Sequence, residues 1–168
     1  MLTLGLMSRN TLRGIMVFAL PPSQTYVRYG CPTWELARLW CDDVLPRNTE
    51  SWFIAQAVKY IKRHHHNVVS ALVSYADPSM GHSGTVYKAA NWLCDGRTDS
   101  DRKTPRFDYV VGDKVYSRRA HVPDGAVVVR KPRVSKHRFI YWLNTDAMKT
   151  WKRKSHDHRI LVGQSLPR

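Results

Sequence analysis

Trp34-Glu-Leu-Ala-Arg-Leu-Trp40, the turn Asp42-Asp-Val-Leu-Pro-Arg-Asn-Thr-Glu-Ser51 and the apolar run Val68–Tyr75 together decide the fold. Strict alternation in the first stretch places Trp34, Leu36, Arg38 and Trp40 on one face and Glu35, Ala37 and Leu39 on the other. Both faces are mostly apolar, which marks a central strand. The turn carries helix-start chemistry: Asn48 or Thr49 can act as N-cap, and Glu50 suits the first turn. Phe53, Ile54, Ala57, Val58 and Ile61 then recur at i, i+1, i+4, i+5 and i+8, one buried face of a helix. Its end, Lys62-Arg63-His64-His65-His66, places cations at the negative pole of the helix dipole. Val68–Tyr75 is a second strand, so strand, helix and strand make two parallel strands joined by a crossover.

Outward from this unit, Leu2–Met7 and Leu12–Leu20 flank Ser8-Arg9-Asn10 as an antiparallel hairpin, ended by Pro21-Pro22. A loop containing Gly30 and Pro32 leads into the central strand. After Tyr75, Asp77-Pro78 breaks the chain, Ser79–Gly84 is a loop, and Thr85–Leu93 reads as a short helix. Arg97–Arg106 is polar and basic. Phe107–Val111 and Lys114–Arg118 flank Gly112-Asp113, a hairpin signal. A turn at Pro123-Asp124-Gly125 precedes Ala126–Arg130, and Arg138–Leu143 is the last strand. The pattern predicts an α+β domain over 1–143 and a basic, mobile tail over 144–168.

The chain has 168 residues, one domain's worth, and its 43% hydrophobic content with six Trp and eight Tyr excludes a disordered chain. The formal charge is +14, and it is lopsided: residues 1–96 carry +3 and residues 97–168 carry +11. That asymmetry favours a polyanionic partner over a small-molecule enzyme. Cys31, Cys41 and Cys94 show no CxxC spacing and cannot all pair, so reduced thiols and a cytoplasmic protein are expected. Ile15–Leu20 is too short to span a bilayer, and no membrane partner is expected.

The turn Leu45–Ser51 lies between a strand's carboxyl end and a helix's amino end, where exposed N–H groups attract anions and Arg47 adds a forked donor. An ordinary capped helix with a solvated arginine fits the same residues. Tyr87, on the short helix, lies near the end of the Val68–Tyr75 strand, where parting parallel strands leave a crevice and a phenol can donate a proton. Asp77 could be a base, a metal ligand or a turn cap. Consecutive residues such as His64-His65-His66 point in different directions and rarely chelate one ion, and His156-Asp157-His158 reads the same way. Beyond Gly96, Arg106, Arg118, Arg119, Arg130, Lys131, Arg133, Lys136 and Arg138 interleave with Phe107, Tyr109, Tyr116, Tyr141 and Trp142. Such a mixture can track phosphates and stack exposed bases.

The order of elements from Trp34 to Leu93 resembles the GNAT acyltransferase fold. The segment Tyr75-Ala-Asp-Pro-Ser-Met-Gly-His-Ser-Gly-Thr-Val-Tyr-Lys-Ala-Ala-Asn-Trp92, with Glu35-Leu-Ala-Arg-Leu39 and Pro46-Arg-Asn-Thr-Glu-Ser51, resembles phage Mom-type DNA modification proteins. The similarity covers roughly Arg13–Leu143. It implies that 1–143 is a GNAT-like catalytic domain, with a mixed sheet whose central parallel strands splay at a cofactor cleft flanked by helices. The implied activity converts adenine in double-stranded phage DNA to an N6 methylcarbamoyl (acetamido) form that restriction enzymes do not cut. The resemblance places Arg38, Ser51, Tyr87 (as general acid) and Asp77 in the catalytic site, with Asp77 a candidate iron ligand. It places Arg47, Asn48, Thr49 and Ser51 against acetyl-CoA. Two departures accompany it. Pro46–Ser51 lacks the glycines of the usual pyrophosphate loop. The chain also begins at the hairpin, without the strand, helices and His-Tyr pair such proteins carry first, so an N-terminally shortened site is expected. Another GNAT N-acyltransferase, or a non-catalytic nucleic-acid-binding derivative of the fold, are the alternatives.

Overall fold

The computed structural model describes residues 1–99, 102, 104, 106–116 and 120–163, with side chains described as far as residue 155. A six-stranded mixed sheet runs in the order β1 (Leu2–Ser8), β2 (Thr11–Ala19), β3 (Thr33–Cys41), β4 (Ala71–Ala76), β9 (His137–Trp142), β5 (Leu93–Arg97). The hairpin β1–β2 forms as the sequence predicts. Arg9 and Asn10 take positive φ at its turn, the backbone twist that matches two antiparallel strands.

Helix α2 (Thr49–His64) carries the chain across from β3 to β4, which pair in parallel. Phe53, Ile54, Ala57, Val58 and Ile61 are all buried, and they pack on Met16, Phe18, Leu36, Leu72 and Phe139 of the sheet. Burying each large side chain stabilises the fold by about 1.5–3 kcal/mol, so this one face anchors the crossover. Along β4, Leu72 joins that core while Ala71 and Val73 join a second cluster on the other face with Tyr29, Ile140, Trp142 and Trp151. Both faces of β4 are therefore covered, as a parallel central strand requires.

Apart from shifted ends, such as the short helix α3 (Thr85–Ala89) that stops before Leu93, four segments differ from the sequence reading. Residues 23–29, read as loop, form α1 (Ser23–Tyr29), which is ended by Gly30 at φ +62 and buries Tyr29. Leu93–Arg97 is β5, because hydrogen bonding to β9 outweighs its polar character. Beyond Asn144 the chain is helical: α4 (Thr145–Gly163) brings Trp151 against Tyr29 and Trp142, with ring centroids 6.1 and 5.6 Å away. The fourth concerns β3. Val17 pairs with Arg38 and Phe18 with Leu36, so Ala37 is an extra residue, a bulge. The bulge reverses the alternation: Trp34, Leu36, Leu39 and Cys41 share the core face. Arg38 and Trp40 are turned to the opposite face.

A second, three-stranded sheet is built from β6 (Phe107–Val111), β7 (Lys114–Tyr116) and β8 (Val129–Pro132), with β6 in the middle. The Gly112-Asp113 hairpin is as predicted, whereas the third strand starts later than Ala126. No helix among the described residues is long and apolar enough to cross a membrane.

Candidate active site

The parallel pairing of β3 and β4 is short. It joins Thr33 to Ala71, Trp34 to Leu72 and Glu35 to Val73, and then stops although both strands continue. Past that point a cleft of about 720 Å³ opens between them. Glu35, Arg38, Trp40, Ser74, Tyr87 and Lys136 are among the residues that line it. Two orphaned backbone edges facing one another would normally close into a ladder. Here Ser74 reaches across instead, its Oγ 2.9 Å from the Leu36 carbonyl oxygen.

Tyr87 forms the floor of this gap. Gly84, at φ +77, caps α3 (Thr85–Ala89), and the helix presents Tyr87 one turn later. The ring lies on Phe139 (centroids 5.1 Å apart) and against Trp92 (5.5 Å). Its hydroxyl is 2.9 Å from Ser74 Oγ. Burial pushes the phenol's pKa up, Ser74 pulls it back, and the carboxylate of Glu35 adds to the rise. The group therefore holds its proton at neutral pH. Glu35 is half-buried; burial raises its pKa against the opposing fields of Arg38 and Lys136. The cleft thus has a protonated phenol on its floor and a carboxyl, a guanidinium and an ammonium on its walls.

Asp77 sits at the end of β4 and is a turn cap. One carboxylate oxygen accepts from the Ser79 N–H (3.0 Å) and hydroxyl (2.6 Å), and the other pairs with Lys136 Nζ at 3.1 Å. The Ser79 hydroxyl in first place, with Lys136, holds the carboxyl below the usual range. Both oxygens are engaged, and among the described residues no group of three His, Cys, Asp or Glu side chains converges. The residues present do not fit an iron site at Asp77.

Arg38 does reach the cleft, donating Nη1 to the Ala37 carbonyl at 2.7 Å. Ser51 is buried outside it; its hydroxyl donates to the Asn48 carbonyl at 3.0 Å. The turn ahead of α2 is also turned inward. Asn48 occupies the cap position at φ +69 without a side-chain capping bond, and Thr49 donates its hydroxyl to the Pro46 carbonyl at 2.6 Å. Arg47 is exposed, but the adjoining hollow of about 330 Å³ also holds Asp42, Asp43 and Glu50. Arg13 offsets only Asp42, at 2.6 Å. Hydroxyls spent on the helix's own backbone and surplus carboxylates do not fit a pyrophosphate, and we assign no acyl-CoA to this turn.

The cations predicted to face nucleic acid divide. Arg130 and Lys131 are exposed on β8. Arg106 pairs with Asp99 at 3.0 Å, and Arg133 is clasped by both oxygens of Asp108. Lys136 belongs to the cleft. Arg138 is not a phosphate contact: it is only 8% exposed and bonds Asp95 at 2.8 Å, beside Arg28 and Tyr29 on the same carboxylate. Arg118 and Arg119 lie outside the described residues. Sequence reasoning passed over Glu35, Ser74 and Trp40. The available signal was polarity out of place, since Glu35 and Ser74 sit in strands whose residues are mostly apolar.

The sequence matches the Mom protein family over residues 1–159. It is also 41% identical over 66 residues to the "Methylcarbamoylase mom" of Escherichia phage Mu, a stretch that covers 39% of this chain and 27% of that protein's length. The family match runs from the hairpin to α4 and so takes in every strand and helix that frames the cleft: this chain belongs to the Mom protein family.

Proposed function

We propose that this chain is a DNA modification enzyme, which converts adenine in double-stranded phage DNA to an N6 methylcarbamoyl (acetamido) form and so shields it from host restriction. Family membership and the name of the phage Mu relative support the reaction class. The observation that carries it to this site is the Tyr87 hydroxyl at the floor of the opening between β3 and β4, with Arg38 and Lys136 on its walls. A parting parallel pair is also what a GNAT-like arrangement calls for, and it supports that kinship.

The exocyclic amine of adenine is stacked inside a duplex, so the base must leave the stack, which costs a few kcal/mol. Arg130 and Lys131, exposed on β8, are cations available to phosphates of the duplex. The amine's lone pair is delocalised into the ring, so orientation and charge stabilisation must supply much of the rate. Tyr87 is the proton donor. Its phenolic proton passes to the group that departs from the transferred fragment as the bond to N6 forms and the amine gives up its own proton. Ser74 carries a single hydroxyl proton but lies 2.9 Å from both the Leu36 carbonyl and the phenol oxygen. While Tyr87 is neutral, Ser74 donates to Leu36 and accepts from the phenol. When Tyr87 gives up its proton, Ser74 swings its own onto the phenolate, and the developing charge is stabilised without water.

The test is mass spectrometry of nucleosides from DNA of cells expressing the chain. A heavier adenosine is expected, lost in Tyr87→Phe. Adenosine of unchanged mass with wild-type protein overturns the assignment.

A further inference from the structure

We infer that Trp40 is the platform on which the extruded base stacks at the mouth of the cleft, with Arg38 beside it to hold the neighbouring phosphate. The inference deepens the function proposed above and rests on it only for the identity of the base. Four observations converge. Trp40 lines the cleft yet is 52% exposed, a large apolar surface left in water beside charged groups. Its indole makes no ring contact with another aromatic side chain among the described residues, whereas Trp34, Trp92, Trp142 and Trp151 each do. Arg38 and Trp40 share one side of β3 at the spacing of adjacent side chains on a strand face, and the bulge at Ala37 turns that side away from the core face of Leu36. Finally, the strand continues unpaired toward β4 there, so a planar ligand can enter without breaking a ladder.

A single exposed tryptophan is ordinary on a protein surface. Trp52, 53% exposed on α2 and absent from the cleft's lining, is such a case and serves as the control. Trp40 differs in facing a cavity within the size range that admits a nucleotide, with a guanidinium and an ammonium alongside. The charge excludes an apolar peptide as the better occupant. The chain carries +14, and an indole next to cations matches a base next to its phosphate.

The experiment measures binding of the full chain to two fluorescent duplexes. One contains 2-aminopurine opposite an abasic site, where the base leaves the stack readily; the other is fully paired. Stacking of a base on an aromatic ring accounts for roughly a five- to hundred-fold change in affinity. Trp40→Ala is expected to lose that much on the loosened duplex and under two-fold on the paired one. Trp40→Phe should retain most of the affinity, and the aliphatic Trp40→Leu should fall between them. Trp52→Ala should bind both as wild type. The inference is overturned by Trp40→Ala binding the loosened duplex normally, or by an equal loss on both duplexes. An equal loss on the loosened duplex for Leu and Phe variants also overturns it, because then bulk and not the ring face matters. Nucleoside mass spectrometry separates the two claims. Unmodified adenosine alongside a selective Trp40 effect defeats the proposed reaction and leaves the platform standing. Modified adenosine with no Trp40 effect does the reverse.

Discussion

Gly84→Ala offers the sharpest test of how the phenol is held, because the structure supplies its own control. A Cβ built on Gly84 would lie 2.2 Å from Cε2 and Cζ of Phe139. Ring atoms at the far end of a side chain can often move aside, but Phe139 is fully buried and carries the Tyr87 ring stacked on it. Overpacking of this kind costs about 1–3 kcal/mol. The left-handed backbone at φ +77 adds about 1–2 kcal/mol for any residue with a Cβ. The sum, about 2–5 kcal/mol, lowers the melting temperature by roughly 4–20 °C for a chain of this size. Gly81 has nearly the same backbone, φ +74, with nothing within 4 Å of a built Cβ. Gly81→Ala therefore isolates the backbone share alone. Denaturant unfolding of both variants should show Gly84→Ala less stable by about 1–3 kcal/mol. Nucleoside analysis should show modification impaired only in Gly84→Ala, as Phe139 pushes Tyr87 off Ser74. Equal destabilisation by the two alanines would refute the wedge between Gly84 and Phe139.

Tyr87→Phe keeps the ring stack and loses one hydrogen bond, so stability should fall by about 1 kcal/mol while adenine modification is abolished. Asp95 governs an acid-sensitive component of stability. Burial alone raises its carboxyl's pKa, but hydrogen bonds from Arg28 and Tyr29 and the field of Arg138 outweigh that and leave it below its usual 3.8. A depressed folded-state pKa gives stability that is complete above the unfolded value and lost as pH falls through the folded one. Unfolding titrations should therefore be flat in this component above about pH 5 and decline below pH 4. Asp95→Asn should remove the decline and cost about 3 kcal/mol at neutral pH, since Arg138 is left buried without its counter-charge. Arg130→Ala should lower the slope of log affinity for DNA against log salt by about 0.9, the signature of one lost phosphate contact, while Arg138→Ala should unfold more easily without that selective change.

Periodicity made the parallel pair and its crossover helix legible, because Phe53, Ile54, Ala57, Val58 and Ile61 have only one way to be buried at once. The opening at the strand ends and the presence of Tyr87 beside it were also readable, as a consequence of topology. The helical segment 23–29 was not. It is short, lacks a capping side chain and owes its existence to Tyr29 packing on β4 and β9. Strand β5 is held by its partner and not by its composition. Charge counting misjudged Arg138 for a related reason. A cation's partner is set by three-dimensional proximity, and Asp95 lies 43 positions away in the chain. Ser51 and Asp77 look like donors and acceptors awaiting a ligand in one dimension, yet the Asn48 carbonyl engages Ser51, and Ser79 and Lys136 engage Asp77.

The site exists because the sheet is irregular in two places. A regular β3 would carry Arg38 and Trp40 on the same face as Leu36, against Phe18 and the apolar side of α2, where a guanidinium without a partner is costly to bury. The extra residue at Ala37 removes that conflict and also substitutes Leu39 and Cys41 into the core face. A β3–β4 ladder continued past Glu35 and Val73 would close the slot and leave Ser74 no carbonyl to reach. Each irregularity fails alone. With the ladder zipped, the bulge would present Arg38 and Trp40 to a flat surface far from a proton donor. With the bulge removed, the slot would open onto Tyr87 without the Trp40 ring or the Arg38 guanidinium at its mouth to hold a nucleotide. The proposed reaction, on a base that must be taken from its stack, calls for all of these at once, and the two irregularities of one strand bring them to a single opening.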